Sequence, residues 1–235
     1  MLNAMRLVTG QRVTVSDHYP GLQFEVSLSF QTEGRTRVDA CCFGLDRRRR
    51  LFDPGYFLHR QGQSFPDGSV RYLGPSPRGD SSLFQVDLAS LNADVARLAF
   101  AAFVAGPGTF NQLEYGHIRF SQPLAEETRY FFSGDNFAFE KAIVVGQIYL
   151  HLDNWRISAD GQGFMHGVKA LFDLYDGRAF YPRLAGREFG VALMTAQEAA
   201  ELHAQLAGIG LDSFSDDSPA FDDFDPASPR RRTLH

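Results

Sequence analysis

The sequence predicts a mainly β protein, a two-sheet antiparallel β-sandwich with short helices, followed by one C-terminal amphipathic helix and a disordered acidic tail. Three observations carry that prediction. Apolar segments of five to ten residues recur over the first 178 residues, separated by Gly, Pro, Asn and Asp clusters. Several of them alternate apolar and polar residues with period two, as a strand with one buried face requires. After residue 178 the period changes to that of a helix, and then apolar patterning ends.

The segments follow in order. RVTVSD (12–17) alternates, and in FEVSLSF (24–30) Phe24, Val26, Leu28 and Phe30 share one face while Glu25, Ser27 and Ser29 share the other. RVDACCFGL (37–45) leads into the run Arg47 to Arg50, whose like charges read as a solvated hairpin turn or, alternatively, an anion or partner patch. GYFLHR (55–60), a turn at SFPDGS (64–69) and VRYLG (70–74) continue the meander. LFQVDL (83–88), ARLAFAAFV (96–104), YGHIRFS (115–121), TRYFFS (128–133), AIVVGQIYLH (142–151) and NWRISADGQGF (154–164) complete it. Glu126 and Glu127 fall in a polar turn between two of these segments. Thr195 and Glu198 form a capping box, and Ala199, Leu202, His203 and Leu206 follow at helical spacing, so a helix spans about 195–208. The expected organisation is a β-sandwich over 1–178, an extension with this helix over 179–211, and a mobile tail over 212–235.

Composition excludes several functional classes. The chain has 235 residues, 44% hydrophobic, with a net charge of −5, and no apolar run approaches the ~18 residues that span a bilayer. No convincing secretory leader opens it, so the expected address is cytoplasmic. Residues 212–225 hold six of the 28 acidic residues and Arg230, Arg231 and Arg232 follow, which leaves a nearly neutral body with 20 basic against 22 acidic residues. A broad positive field is lacking, so nucleic acid is not the expected partner. The two cysteines, Cys41 and Cys42, are adjacent and read as half-buried strand residues.

Motifs for catalysis are missing. The stretch Gly161-Gln162-Gly163, with Gly167 beyond it, lacks the spacing of a dinucleotide loop and reads as a turn. No two of the seven histidines lie at the short spacing that binds a metal locally. A hydrolase using Asp39, His59 or His117 has no nucleophile and base that spacing can pair. Loop aspartates are more suggestive. Asp39, Asp67, Asp80 and Asp135 sit at or beside segment ends, where carboxylates and carbonyls can supply calcium with the six to eight oxygens it takes, or can simply close Asx turns.

At these loops the sequence resembles the tellurium-resistance, TerD-type domain of bacterial stress proteins. The matching pieces are collinear: PGL (20–22), LSF (28–30), VDA (38–40), SFPDGSV (64–70), GD (79–80), QVDLASLNADV (85–95), RYFFSGDNFAFEKAIVVGQIY (129–149), NWRI (154–157) and DGQGF (160–164). The resemblance implies a two-sheet β domain in the cytoplasm that binds Ca2+ through acidic loops and catalyses nothing. It also implies action through contacts with other stress-resistance proteins, in assemblies at the inner face of the membrane. Carried over residue by residue, the implied metal ligands are Asp39, Asp80, Asp135 and Glu140. The chain departs from the family pattern where it has Arg37-Val38-Asp39 for D-x-D, Gly74-Pro75-Ser76 for G-D-N and Asp80-Ser81-Ser82 for D-D-E. With carboxylates lost and a cation gained, the expected calcium site is weak or absent. The alternative is a metal-independent scaffold that keeps the sandwich and has given up the ion.

Overall fold

A computed structural model describes residues 4–32, 36–59, 63–76, 81–123, 125 and 127–184. Asp80, the predicted helix at 195–208 and the tail at 212–235 lie outside the described residues. Within them twelve strands form two six-stranded sheets. The strands are β1 (Ala4–Leu7), β2 (Arg12–Thr14), β3 (Gln23–Thr32), β4 (Val38–Leu45), β5 (Phe57–Leu58), β6 (Val70–Gly74), β7 (Ser82–Asp87), β8 (Arg97–Val104), β9 (Leu113–Ser121), β10 (Glu127–Phe132), β11 (Ala142–His151) and β12 (Asn154–Phe164). One sheet has the order β1-β10-β9-β3-β7-β6 and the other β2-β12-β11-β8-β4-β5. Every pairing is antiparallel except β1 with β10.

The core fills the space between the sheets. Phe24, Val26 and Leu28 alternate inward from β3 as period two requires, and Phe84 on β7 meets Phe100 on β8 edge to face at 5.4 Å. The β8 and β4 strands are buried on both faces because a helix, α1 (Gly167–Leu174), lies over the second sheet. Val168, Leu171 and Phe172 of α1 are buried, and Phe172 packs on Phe43 and Phe57. Cys41 and Cys42 are therefore fully buried rather than half-buried, one on each covered face of β4. Burial pushes both thiols well above their ordinary pKa, so neither is a nucleophile at neutral pH.

Three other expectations are corrected. Gly161-Gln162-Gly163 is not a turn but part of β12, where the register slips so that Val144 faces Gln162 and Gly146 faces Ala159. Gly161 takes φ +77° at this bulge, and a Cβ there would lie 2.4 Å from the Tyr130 hydroxyl, so both backbone and space demand glycine. Glu127 belongs to β10 rather than a turn. Ser27 on the expected solvent face is buried, because Arg119 on neighbouring β9 lies over it and donates Nε–H to its hydroxyl at 3.0 Å.

Tyr19 ties the first sheet together without belonging to a strand. Its hydroxyl donates to the Phe120 carbonyl at 3.0 Å and accepts from the Thr128 N–H at 3.1 Å, all in the core. Tyr19→Phe removes both bonds while keeping the ring, so it is expected to cost about 1–3 kcal/mol, read as a lower midpoint in urea with an unchanged slope. A midpoint equal to the wild type would mean these bonds contribute nothing.

Candidate functional site

The acidic site predicted from the loops is centred on Asp39, the second residue of β4. The β4–β8 register sets Asp39 opposite Phe103, and His59, the residue directly after β5, comes to the same place. His59 is buried, with its ring 5.1 Å from that of Phe103, and its Nε2 lies 3.5 Å from the Asp39 Oδ2. From the other side Arg37 Nη2 donates to the same oxygen at 2.9 Å. Arg37 directly precedes β4 and lies two residues before Asp39, so both side chains reach the same side of the extended chain. A cleft of about 440 Å³ opens here between the edges of the two sheets, lined also by Tyr72, Ser81 and Ser82. Tyr72 and Ser82 share a hydrogen bond at 3.0 Å, and the Ser81 hydroxyl accepts from the Phe30 N–H at 3.3 Å.

Burial pushes the Asp39 carboxyl up, but the His59 contact and the Arg37 guanidinium outweigh it and hold the group below the usual carboxylate range. The carboxylate is ionised at neutral pH, and its counter-charge comes from the protein. The sign for stability follows from the lowered value. Stabilisation from Asp39 is present above the unfolded pKa of ~3.9 and is lost as pH falls through the folded pKa. The melting-temperature gap between wild type and Asp39→Asn is thus expected to be widest near neutrality and to close as pH is taken down towards 3. A gap independent of pH would contradict this.

Of the other predicted ligands, the two among the described residues, Glu140 and Asp135, do not join Asp39. Glu140 folds back on its own turn, where Oε2 accepts from the Ala138 N–H at 2.6 Å and the Phe139 N–H at 3.0 Å. Those backbone bonds lower its pKa. The β8 strand separates it from Asp39: Phe103 faces both Asp39 and Ala142, so two strand spacings, about 10 Å, intervene. Asp135 is exposed in a single 3-10 turn (Gly134–Asn136), where its carboxylate accepts from the Ser133 hydroxyl at 3.4 Å. Asp67 closes its own turn, accepting from the Ser69 N–H and hydroxyl. Asp80 is outside the described residues. Among the described residues no three His, Cys, Asp or Glu side chains converge on a point that could hold a metal. Among the described residues the Asp39 cleft holds one carboxylate, one imidazole and a guanidinium, beside the hydroxyls of Tyr72, Ser81 and Ser82.

Sequence reasoning missed the Asp39–His59 pairing. They are 20 positions apart, one on β4 and the other just after β5, so no local spacing encodes it. Arg37 beside Asp39 was visible from the strand period alone.

Comparison with known proteins extends this picture. A model of the TerD domain matches residues 3–175. General stress protein 16U of Bacillus subtilis (strain 168) is 25% identical over 180 residues, covering 70% of this chain and 93% of that protein. Tellurium resistance protein TerD of Serratia marcescens is 24% identical over 148 residues, 59% of this chain and 77% of its own length. A solved structure of a protein of unknown function shares the fold with a TM-score of 0.50 at 16% identity, covering 67% of this chain and 98% of that one. No helix among the described residues is long and apolar enough to cross a membrane.

Proposed function

Because this chain belongs to the TerD domain family, we propose that it is a non-catalytic stress-resistance module whose acidic site has exchanged calcium for a cation of its own. The observation that carries this reading is the Arg37 guanidinium 2.9 Å from the Asp39 carboxylate. It sits where the family pattern has a further carboxylate, so a ligand has been replaced by a charge that repels the ion. His59 occupies a second approach to the same oxygen. With the ion's place taken from within, the module acts through protein contacts with other stress-resistance proteins rather than through calcium-dependent assembly.

The name of the Serratia relative suggests the stress to test. Survival of a strain lacking this gene is expected to fall in tellurite and to recover with the wild-type gene. It should recover equally with Arg37→Lys, which keeps the positive charge. Survival unaffected by the deletion, in tellurite and in other chemical stresses alike, would contradict the role. One observation favours a second reading, calcium bound weakly by Asp39 and Asp80: the Asp39 carboxylate is ionised and its side chain is 24% exposed to the cleft. Calcium titration of the melting temperature separates the two.

A further inference from the structure

The outer face of the second sheet carries a second cleft, far from Asp39. Arg97 opens β8 and Asp39 faces Phe103 near the end of that strand, so about 20 Å of strand lies between the two places. The register builds the cleft. Arg97 faces Tyr149 on β11, and Tyr149 faces Arg156 on β12, so the three side chains stand in one row across the sheet. Two residues along, Gln147 faces Ser158, and Ser158 faces Arg12 on the edge strand β2. Arg49 comes in from the turn after β4, held at φ +63° while Asp46 accepts from the Arg48 and Arg50 N–H groups on either side of it. Together these residues line a concavity of about 570 Å³.

The charge of the cleft is one-sided. Among the described residues its lining holds four arginines, Arg12, Arg49, Arg97 and Arg156, against one carboxylate, Asp160. That carboxylate is engaged with the neutral groups Gln147 and Ser158. None of the four arginines makes an ion pair among the described residues. Arg97 is half-buried and held in place: its guanidinium lies 4.7 Å from the Tyr149 ring centroid and Nη1 donates to Gln147 Oε1 at 2.6 Å. Burial, and after it the charge of Arg49, lowers the Arg97 pKa. A surface arginine run needs no ligand, but a fixed, half-buried arginine among three others without carboxylate partners is stabilised by an anion.

We propose that this cleft binds a phosphate group, with Arg97 and Arg156 as its two principal donors on either side of Tyr149 and with Arg12 and Arg49 closing over it. Guanidinium forks match phosphate oxygens bidentately, and the concave wall keeps the charges close to the ligand. The volume exceeds what inorganic phosphate fills and lies in the range of small-molecule sites, so the phosphate is carried on a larger organic molecule. The Arg47–Arg50 run thus has one member, Arg49, with a ligand to meet.

The test is calorimetric titration of the full chain with sodium pyrophosphate at low salt, together with sedimentation with phosphatidic acid vesicles and with phosphatidylcholine vesicles. Saturable pyrophosphate binding that weakens as sodium chloride is raised is expected. Arg97→Gln and Arg156→Gln should each weaken it at least tenfold, while Arg71→Gln on the other sheet leaves it unchanged. Arg12 is exposed on an edge strand, so Arg12→Gln keeps the packed face intact and should also weaken binding even if Arg97→Gln does not fold. Capture by phosphatidic acid vesicles without pyrophosphate binding, abolished by the same substitutions, would assign the phosphate to a lipid headgroup. Binding of neither probe, or binding that none of these three substitutions reduces, would overturn the proposal.

Discussion

Phe100→Ala is expected to be the most destabilising single truncation, lowering unfolding free energy by about 3–5 kcal/mol. Phe100 has no exposed surface, and its ring meets Phe84 of the opposite sheet, so it joins the two layers rather than filling one. β8 is central in its sheet and backbone-paired on both sides, with β4 and β11, so the backbone cannot collapse into the space a lost ring leaves. A domain of this size stands only about 5–15 kcal/mol above its unfolded state, so the loss is a large fraction of the total. Denaturant unfolding checks it. The midpoint should drop with the slope unchanged, and a loss under about 1 kcal/mol would mean the sheets do not depend on this contact.

Glu127→Ala is expected to have the next largest effect, about 2–3 kcal/mol after discounting for the one-fifth exposure of the Glu127 side chain. Arg119 is among the most deeply buried charged side chains described, 4% exposed, with Nη1 3.4 Å from the Glu127 Oε1. Glu127 also accepts from Arg129 on the same strand. Removing the carboxylate takes from the buried guanidinium one of the groups that offset its desolvation. Replacing both members, as Glu127→Leu with Arg119→Met, removes that penalty and is expected to be less destabilising than Glu127→Ala alone. If the double substitution proves the worse, Arg119 is held by other contacts and the pair matters little.

Much of this fold was legible in the residues, and the illegible parts have physical reasons. The segment AIVVGQIYLH coincides with β11, because an apolar run rich in β-branched residues leaves the backbone few alternatives, and NWRISADGQGF coincides with β12 although its glycines alone read as a turn. β1 was not foreseen. It has four residues, and its existence depends on a parallel partner more than a hundred residues away, which no local pattern records. α1 was legible in principle, since Val168, Leu171 and Phe172 are spaced three and four apart, but eight residues are a weak signal among strands. Ser27 and Glu127 were misplaced for a shared reason: both sit around Arg119, whose inward course over the sheet surface makes polar positions part of the interior.

The site was legible in its charge and not in its geometry. Arg37 two residues before Asp39 announced an internal counter-ion, and the 2.9 Å contact is that pair. Asp39 is at a strand start and Asp135 in a turn, each at a segment end as expected. The sequence could not tell that Glu140 would spend its carboxylate on its own turn's backbone, nor that His59 would supply the second contact to Asp39. The four arginines of the outer cleft are scattered from residue 12 to 156, and only the strand order of the second sheet, with the turn after β4, makes neighbours of them.

The measurement that bears most directly on the exchanged cation is the melting temperature of wild-type chain, first stripped with chelator and then titrated with calcium into the millimolar range. An unchanged melting temperature is expected, since Arg37 and His59 already hold Asp39. A rise of several degrees, such as the ~2.7 kcal/mol gained at a hundredfold excess over the dissociation constant would give, would contradict it.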